Sequence, residues 1–176
     1  MHNIIKDIAN KENGTLWIED SKEIYTNGSR SPSSTYTIKV EYKGQDIILF
    51  NTIGSVTSGK IICELNSNQQ FPTFEILTKS HFESLFLGKN SRLKIKSNSK
   101  RLKIALKREF QKSTISHFFE HTRFEPYIFS EIKNNKYIIT TTYNLEFEGW
   151  FNVISPLLEF YRTLIDLYND DLHHQL

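Results

Sequence analysis

The chain has a single cysteine, Cys63, among its 176 residues, so no disulfide can form within one molecule. Long apolar runs are also missing: the longest, such as Ile47 to Phe50, are far too short to cross a bilayer about 30 Å thick. No internal repeat and no Gly-x-Ser-x-Gly nucleophile elbow occurs. These absences exclude a disulfide framework and a transmembrane helix, and they predict a soluble, cytoplasmic protein held together by its core.

Bulky apolar residues are plentiful, with 13 Phe, 8 Tyr, 2 Trp and 21 Ile. A disordered or fibrous chain carries far fewer, and 176 residues suffice to bury a core without metal or disulfides. We therefore predict a single α+β domain over residues 1–176. The abundance of Ile, Lys and Asn is typical of AT-rich genomes and suggests a bacterial source.

Apolar and polar residues alternate along several segments, which is the pattern of half-buried strands. A first hairpin is predicted from 36–42 and 46–50, and a second from 127–132 and 137–143, with Asn134 and Asn135 at its turn. Further strands are predicted at 16–18, 60–65, 73–77 and 92–96. Residues 26–35, which contain Gly28 and Pro32, are predicted to form a mobile loop.

Three segments have helix signals. A capping box from Ser80 to Glu83 predicts a short helix at 81–87, and helical spacing begins after Ser99. Ser155 and Pro156 predict the start of a C-terminal amphipathic helix. Together these patterns predict one antiparallel sheet of six to eight strands, covered on one side by the basic helix and the C-terminal helix. A strongly curled or barrel-like sheet is the main variant.

Charge is distributed very unevenly along the chain. The segment 89–112 has ten Lys/Arg residues and one acid, Glu109, for a formal net of +9, whereas the other residues sum to −7. Such a segment attracts anionic partners, or it is simply a solvated face that balances the acidic part of the chain. The predicted anion-binding residues are Arg92, Lys94, Lys96, Lys100, Arg101, Lys103, Lys107 and Arg108.

Residues Gly54 to Lys60 have the glycine and lysine spacing of a phosphate-binding P-loop. A P-loop needs Ser or Thr after the lysine to hold magnesium, and then a helix. Here Ile61 follows, in a segment that is predicted to be a strand. The pattern therefore favours an ordinary hairpin loop over a nucleotide site.

The segment 117–121 fits the H-x-x-E-H pattern of inverted zinc peptidases through His117, Glu120 and His121. Two histidines one helical turn apart can bind zinc while the glutamate activates water, but a working site needs a third protein ligand. The sequence does not single one out. We expect no metal and no cofactor, and a metal-dependent hydrolase is the alternative interpretation.

The sequence thus favours a non-enzymatic binding or accessory domain that uses the segment 89–112. Its partner is predicted to be an acidic protein surface, a phosphate-bearing ligand or nucleic acid. Aromatic residues do not alternate with the cations there, so sequence-specific nucleic-acid recognition is disfavoured. Whether the chain forms a homo-oligomer is left open.

Overall fold

The computed structural model describes residues 1–24, 30–55, 57–66, 71–78 and 93–173. Within these ranges the side chains of 23, 24, 30, 120, 121 and 171–173 are outside the description. The strands are β1 Thr15–Ile24, β2 Arg30–Tyr42, β3 Gln45–Ile53, β4 Ser58–Asn66, β5 Phe74–Thr78, β6 Leu93–Ser97, β7 Tyr127–Lys133 and β8 Lys136–Asn144. The helices are α1 His2–Lys11, α2 Lys100–Lys112, α3 Ile115–His121 and α4 Ile154–His173, with a 3-10 turn at Trp150–Val153 before α4.

Eight strands form one antiparallel sheet in the order β1-β2-β3-β4-β8-β7-β5-β6. The four strands β1 to β4 follow chain order, and the hairpin β7–β8 then lies between β4 and β5. The sheet is open, since β1 and β6 lie at its two edges. The predicted α+β class and strand number are confirmed, and the described strands do not close into a barrel.

Both predicted hairpins are confirmed. Lys43 and Gly44 join β2 to β3 with φ values of 51° and 73°. Asn134 and Asn135 join β7 to β8 with φ values of 51° and 58°. Two central residues with positive φ match the right-handed twist of the flanking strands, and glycine and asparagine tolerate that conformation best.

The helices cover one face of the sheet, as predicted. Side chains alternate along each strand, so that Ile38, Leu49, Ile61 and Ile139 are buried on the helical face. α4 packs there through the predicted apolar stripe, and its Tyr161 Oη lies 2.7 Å from Thr141 Oγ1. The buried residues of α4 are Ile154, Leu157, Leu158, Phe160, Tyr161, Leu164, Ile165 and Tyr168.

Two boundaries differ from the predictions. Residues 30–35 of the predicted loop belong to β2, and 26–29 lie outside the described residues. Pro32 is compatible with this strand because β2 before Ser34 pairs with β1 alone, and sheets accept proline at such edges. α4 begins at Ile154 because the 3-10 turn leads directly into it, so Ser155 is not its cap.

The predicted helix at 81–87 lies outside the described residues, as does Arg92 of the predicted strand 92–96. The rest of that strand is β6. None of the helices in the described part of the chain is long and apolar enough to span a bilayer.

Candidate anion-binding surface

α2 turns one apolar stripe inward and its cations outward. Ser99 Oγ accepts a hydrogen bond from the Leu102 amide at 3.2 Å, which satisfies one unpaired amide of the first turn. Leu102, Leu106 and Phe110 are buried at helical spacing. The six cations of the helix are all exposed, and we call them the basic α2 surface: Lys100, Arg101, Lys103, Lys107, Arg108 and Lys112.

Glu109 is the one acid of α2, and it pairs with two of these cations. Arg108 Nε lies 2.6 Å and Lys112 Nζ 3.5 Å from Glu109 Oε1. The hydrogen bond from Arg108 is the main cause that lowers the pKa of Glu109. The other four cations form no ion pair with any described residue: Lys100, Arg101, Lys103 and Lys107.

The lysines of β6 lie on the other side of the sheet. Ile95 is buried opposite Ile76, so its neighbours Lys94 and Lys96 point away from the helical face. Lys96 Nζ also lies 2.8 Å from Glu75 Oε2, and this hydrogen bond is the main cause that raises the pKa of Lys96. The structure therefore brings together the α2 members of the predicted site and separates them from its β6 members.

Several cations elsewhere in the fold are paired with acids. Lys39 Nζ lies 2.6 Å from Asp46 Oδ2, and Lys43 Nζ lies 2.6 Å from Asp166 Oδ1. Lys136 pairs with Glu64, and Arg162 pairs with Glu12 at 2.8 Å. Among the described residues, the ion pairs outside α2 therefore lie on the sheet or between α4 and its neighbours, while other exposed lysines of the sheet are unpaired.

A groove runs between α2 and α4. It encloses about 340 Å³, and its buried floor includes Phe71 and Leu102. Ile104 stands at its edge with 61% of its surface exposed, the highest exposed fraction among the large hydrophobic residues that the structure describes. The other lining residues are Pro72, Ser99, Arg101, Ala105, Arg108, Leu167 and Asp170.

A second surface, on the side of the sheet away from the helices, was not identified from the sequence. Tyr127 and Phe129 stack there with ring centroids 5.0 Å apart, and Tyr127 lies two strands from Lys94, with Leu77 between them. Trp17 is 47% exposed on the same face. The alternation of apolar and polar residues along β7 indicates that Tyr127 and Phe129 share one face of a strand. The sequence does not show that this strand lies beside β5.

The described residues of the Gly54 to Lys60 segment lie in a hairpin, as predicted: Ser58 to Lys60 already belong to β4, and Val56 is outside the described residues. The segment connects β3 to β4, which pair antiparallel from Ile47 opposite Cys63 to Thr52 opposite Ser58. Lys60 is an exposed residue within β4, and no helix follows it. The helix N-terminus that a P-loop directs at phosphates does not occur at this position.

The H-x-x-E-H segment forms α3, a helix of seven residues. His117 is exposed, and Phe119 is buried against Phe110 with ring centroids 4.5 Å apart. The side chains of Glu120 and His121 are outside the description. Within the described side chains, no group of three His, Cys, Asp or Glu residues is arranged to hold a metal ion.

The buried tyrosine hydroxyls and the thiol of the core have structural roles. Burial raises the pKa of Cys63 to about 12, so its thiol is protonated and unreactive near neutral pH. Burial also raises the pKa values of Tyr137, Tyr143 and Tyr161. Tyr137 Oη donates to the Pro72 carbonyl at 2.9 Å, and Tyr143 Oη donates to Asn51 Oδ1 at 2.8 Å. These hydroxyl groups therefore have a structural role in the core.

Comparison with family models, curated proteins and solved structures finds no match to this chain.

Proposed function

We propose that this protein is a non-enzymatic binding protein that contacts an anionic partner through the basic α2 surface. The observation that carries the proposal is the concentration of unpaired cations on one helix. Lys100, Arg101, Lys103 and Lys107 form no ion pair with the described residues and share α2, whereas the unpaired lysines of the sheet are spread over four strands: Lys22, Lys60, Lys94 and Lys133. A partner that supplies carboxylates or phosphates would form ion pairs with these cations.

The arrangement of charge on α2 also opposes the stability of the helix. Lys103 lies three residues after Lys100 and four before Lys107, and like charges at these spacings cost a few tenths of a kcal/mol per pair. The first turn contains Lys100 and Arg101 and no acid, so their charges add to the positive end of the helix dipole. An anionic partner relieves both effects.

The chemistry of the surface favours simple anion recognition. α2 is about 20 Å long at 1.5 Å per residue, and its exposed residues include no aromatic ring on which a base could stack. Carboxylates and phosphates are therefore the groups that it suits, without sequence-specific reading of nucleic acid.

The test is polyanion binding by matched charge variants. The probes are heparin and a short DNA duplex, measured by fluorescence anisotropy from 50 to 200 mM salt. K103Q/K107Q removes two unpaired cations of α2, and K60Q/K94Q removes two exposed lysines on the opposite side of the sheet. We expect the α2 variant to bind more weakly and to lose about 1.8 from the slope of log affinity against log salt for the duplex. The control should keep the slope of the unmodified protein.

Equal losses in the two variants would refute the assignment to α2. So would binding that does not depend on salt, because charge pairing is the stated cause. The stability of K103Q/K107Q should be unchanged or a few tenths of a kcal/mol higher, since the repulsion along the helix is removed.

A further inference from the structure

We infer that the partner is an acidic protein segment that places an apolar side chain in the groove between α2 and α4. This inference rests on the proposed function, because the same helix supplies the charge, and it adds the class of partner. The reasons are the shape of the groove, the exposure of Ile104 and the position of the arginines.

The groove combines an apolar floor with a charged rim on one side. Phe71 and Leu102 are buried beneath it, and Leu167 of α4 is half-buried in its wall. Its volume of about 340 Å³ lies at the lower end of the range for ligand pockets. A site of this size suits a small number of apolar side chains from a docked segment.

Ile104 stands at the edge of the groove, between two arginines of α2. Arg101 lies three residues before it and Arg108 four residues after it, so all three share one face of α2. A phosphate backbone needs the two guanidinium groups but gains nothing from an exposed isoleucine between them. An amphipathic acidic segment uses both, since its carboxylates meet the arginines while an apolar residue covers Ile104.

Asp170 of α4 also lines the groove and gives it two unlike edges. The α2 edge is positive, and the α4 edge has this exposed carboxylate. A docked segment is therefore expected to turn its acids toward α2 and neutral or basic residues toward α4. A second copy of this chain fits less well, because symmetric contact through the groove would bring two basic helices together.

The test uses synthetic 14-residue peptides, which as helices are about as long as α2. Each has Leu or Phe at positions i, i+3 and i+7 or i, i+4 and i+8, with Glu at most other positions. The comparison peptides have the same composition in scrambled order. Binding is measured by fluorescence anisotropy at 0.15 M salt, with heparin and poly-glutamate measured in parallel.

We expect at least one patterned peptide to bind the unmodified protein more tightly than its scrambled version. I104S should weaken this binding about 10- to 100-fold, as expected for the loss of one buried aliphatic contact. Since Ile104 is exposed in the free protein, the fold should survive the change. I132S, at another large exposed aliphatic residue, is the matched control and should leave the affinity unchanged.

The charged edges give a second, independent comparison. R101Q should weaken the peptide about 2- to 5-fold, as for an exposed ion pair, and D170N should strengthen it. R108Q should have a smaller effect, because Arg108 already pairs with Glu109. The affinity for heparin should fall in R101Q and should be unchanged in I104S. This pattern separates apolar docking from general attraction between opposite charges.

Several outcomes would overturn the inference. Equal binding of patterned and scrambled peptides, or an affinity that I104S leaves intact, would show that the groove takes no side chain. If K103Q/K107Q still lost heparin binding in that case, the proposed function would stand without the groove. A dimer of the unmodified protein at assay concentration that I104S converts to a monomer would assign the groove to a second copy.

Discussion

Gly59 offers a sharp test of core packing, because G59A would bring a Cβ atom far closer to the ring of Tyr143 than van der Waals contact allows. An ideal Cβ at this position lies 2.2 Å from both Cε2 and Cζ of Tyr143 and 2.8 Å from Asn51 Oδ1. The three residues lie side by side on β3, β4 and β8, on the helical face of the sheet. The tyrosine ring therefore packs directly over the glycine backbone.

The loss of stability arises because the Tyr143 ring must move and break its existing contacts. It must move by about 1 Å or more to restore an ordinary contact distance. The ring is 5% exposed and packs against Phe124 at 5.6 Å, so there is little space for it. The movement also breaks the hydrogen bond to Asn51, whose Nδ2 already lacks a partner. Overpacking at about 1–3 kcal/mol and an unsatisfied acceptor at about 1–3 kcal/mol give a loss of roughly 2–6 kcal/mol.

Denaturant and thermal unfolding, followed by circular dichroism, measure this loss. For a chain of this size each kcal/mol corresponds to about 2–4 °C in Tm, so a drop on the order of 10 °C is expected. G44A is the control, since Gly44 has no atom within 4 Å of the added Cβ and a φ of 73°. It should cost only about 1 kcal/mol of backbone strain.

A double-mutant cycle identifies the cause. Y143F alone should cost about 1–3 kcal/mol, because it leaves Asn51 Oδ1 unsatisfied in the core. In the G59A background the same change should cost much less, since the hydrogen bond is already broken. A G59A protein as stable as the unmodified one, or strict additivity in the cycle, would refute the reasoning.

Replacing Leu164 or Ile165 by Asp should cost several kcal/mol and unfold the protein, because the two side chains are only 2% and 0% exposed in α4; near-native melting of both variants would contradict this placement of the helix. Stability should also fall steeply above pH 10, because Tyr137, Tyr143 and Tyr161 have pKa values raised above the ordinary 10. The folded state keeps three protons that the unfolded state releases, so this stabilisation is complete below pH 10 and is lost as the pH rises, at about 4 kcal/mol per unit, until the folded tyrosines ionise. Urea midpoints between pH 9 and 11.5 measure it, and midpoints that stay constant over this range would contradict the burial of the three hydroxyls.

The features predictable from the sequence are those fixed by neighbouring residues. Asn134 and Asn135 mark a turn because asparagine tolerates positive φ, and alternation on both sides marks the strands. Ser99 caps α2 through its own side chain, three residues before the amide that it accepts from. Such signals need no knowledge of distant parts of the chain.

The strand order was not predictable because it depends on distant contacts. β7–β8 lies between β4 and β5, where the Tyr161 hydroxyl contacts Thr141 Oγ1 and the Ile61 carbonyl oxygen, and Tyr168 donates to the carbonyl oxygen of Asn66. No local sequence pattern predicts these contacts between distant residues. Pro32 misled the prediction in the opposite way, because proline breaks a central strand but is accepted where the strand has only one neighbour.

The candidate site shows the same division between local and distant information. Counting charges places +9 in residues 89–112, but it treats Lys96 and Lys103 alike. In the fold, Lys96 pairs with Glu75 on one side of the sheet, while Lys103 belongs to a helix on the other side and forms no ion pair with the described residues. A charge already paired within the chain has less to gain from a partner, since binding must first replace the existing ion pair. The unpaired cations of α2, rather than the whole basic segment, are therefore where an anionic partner gains the most.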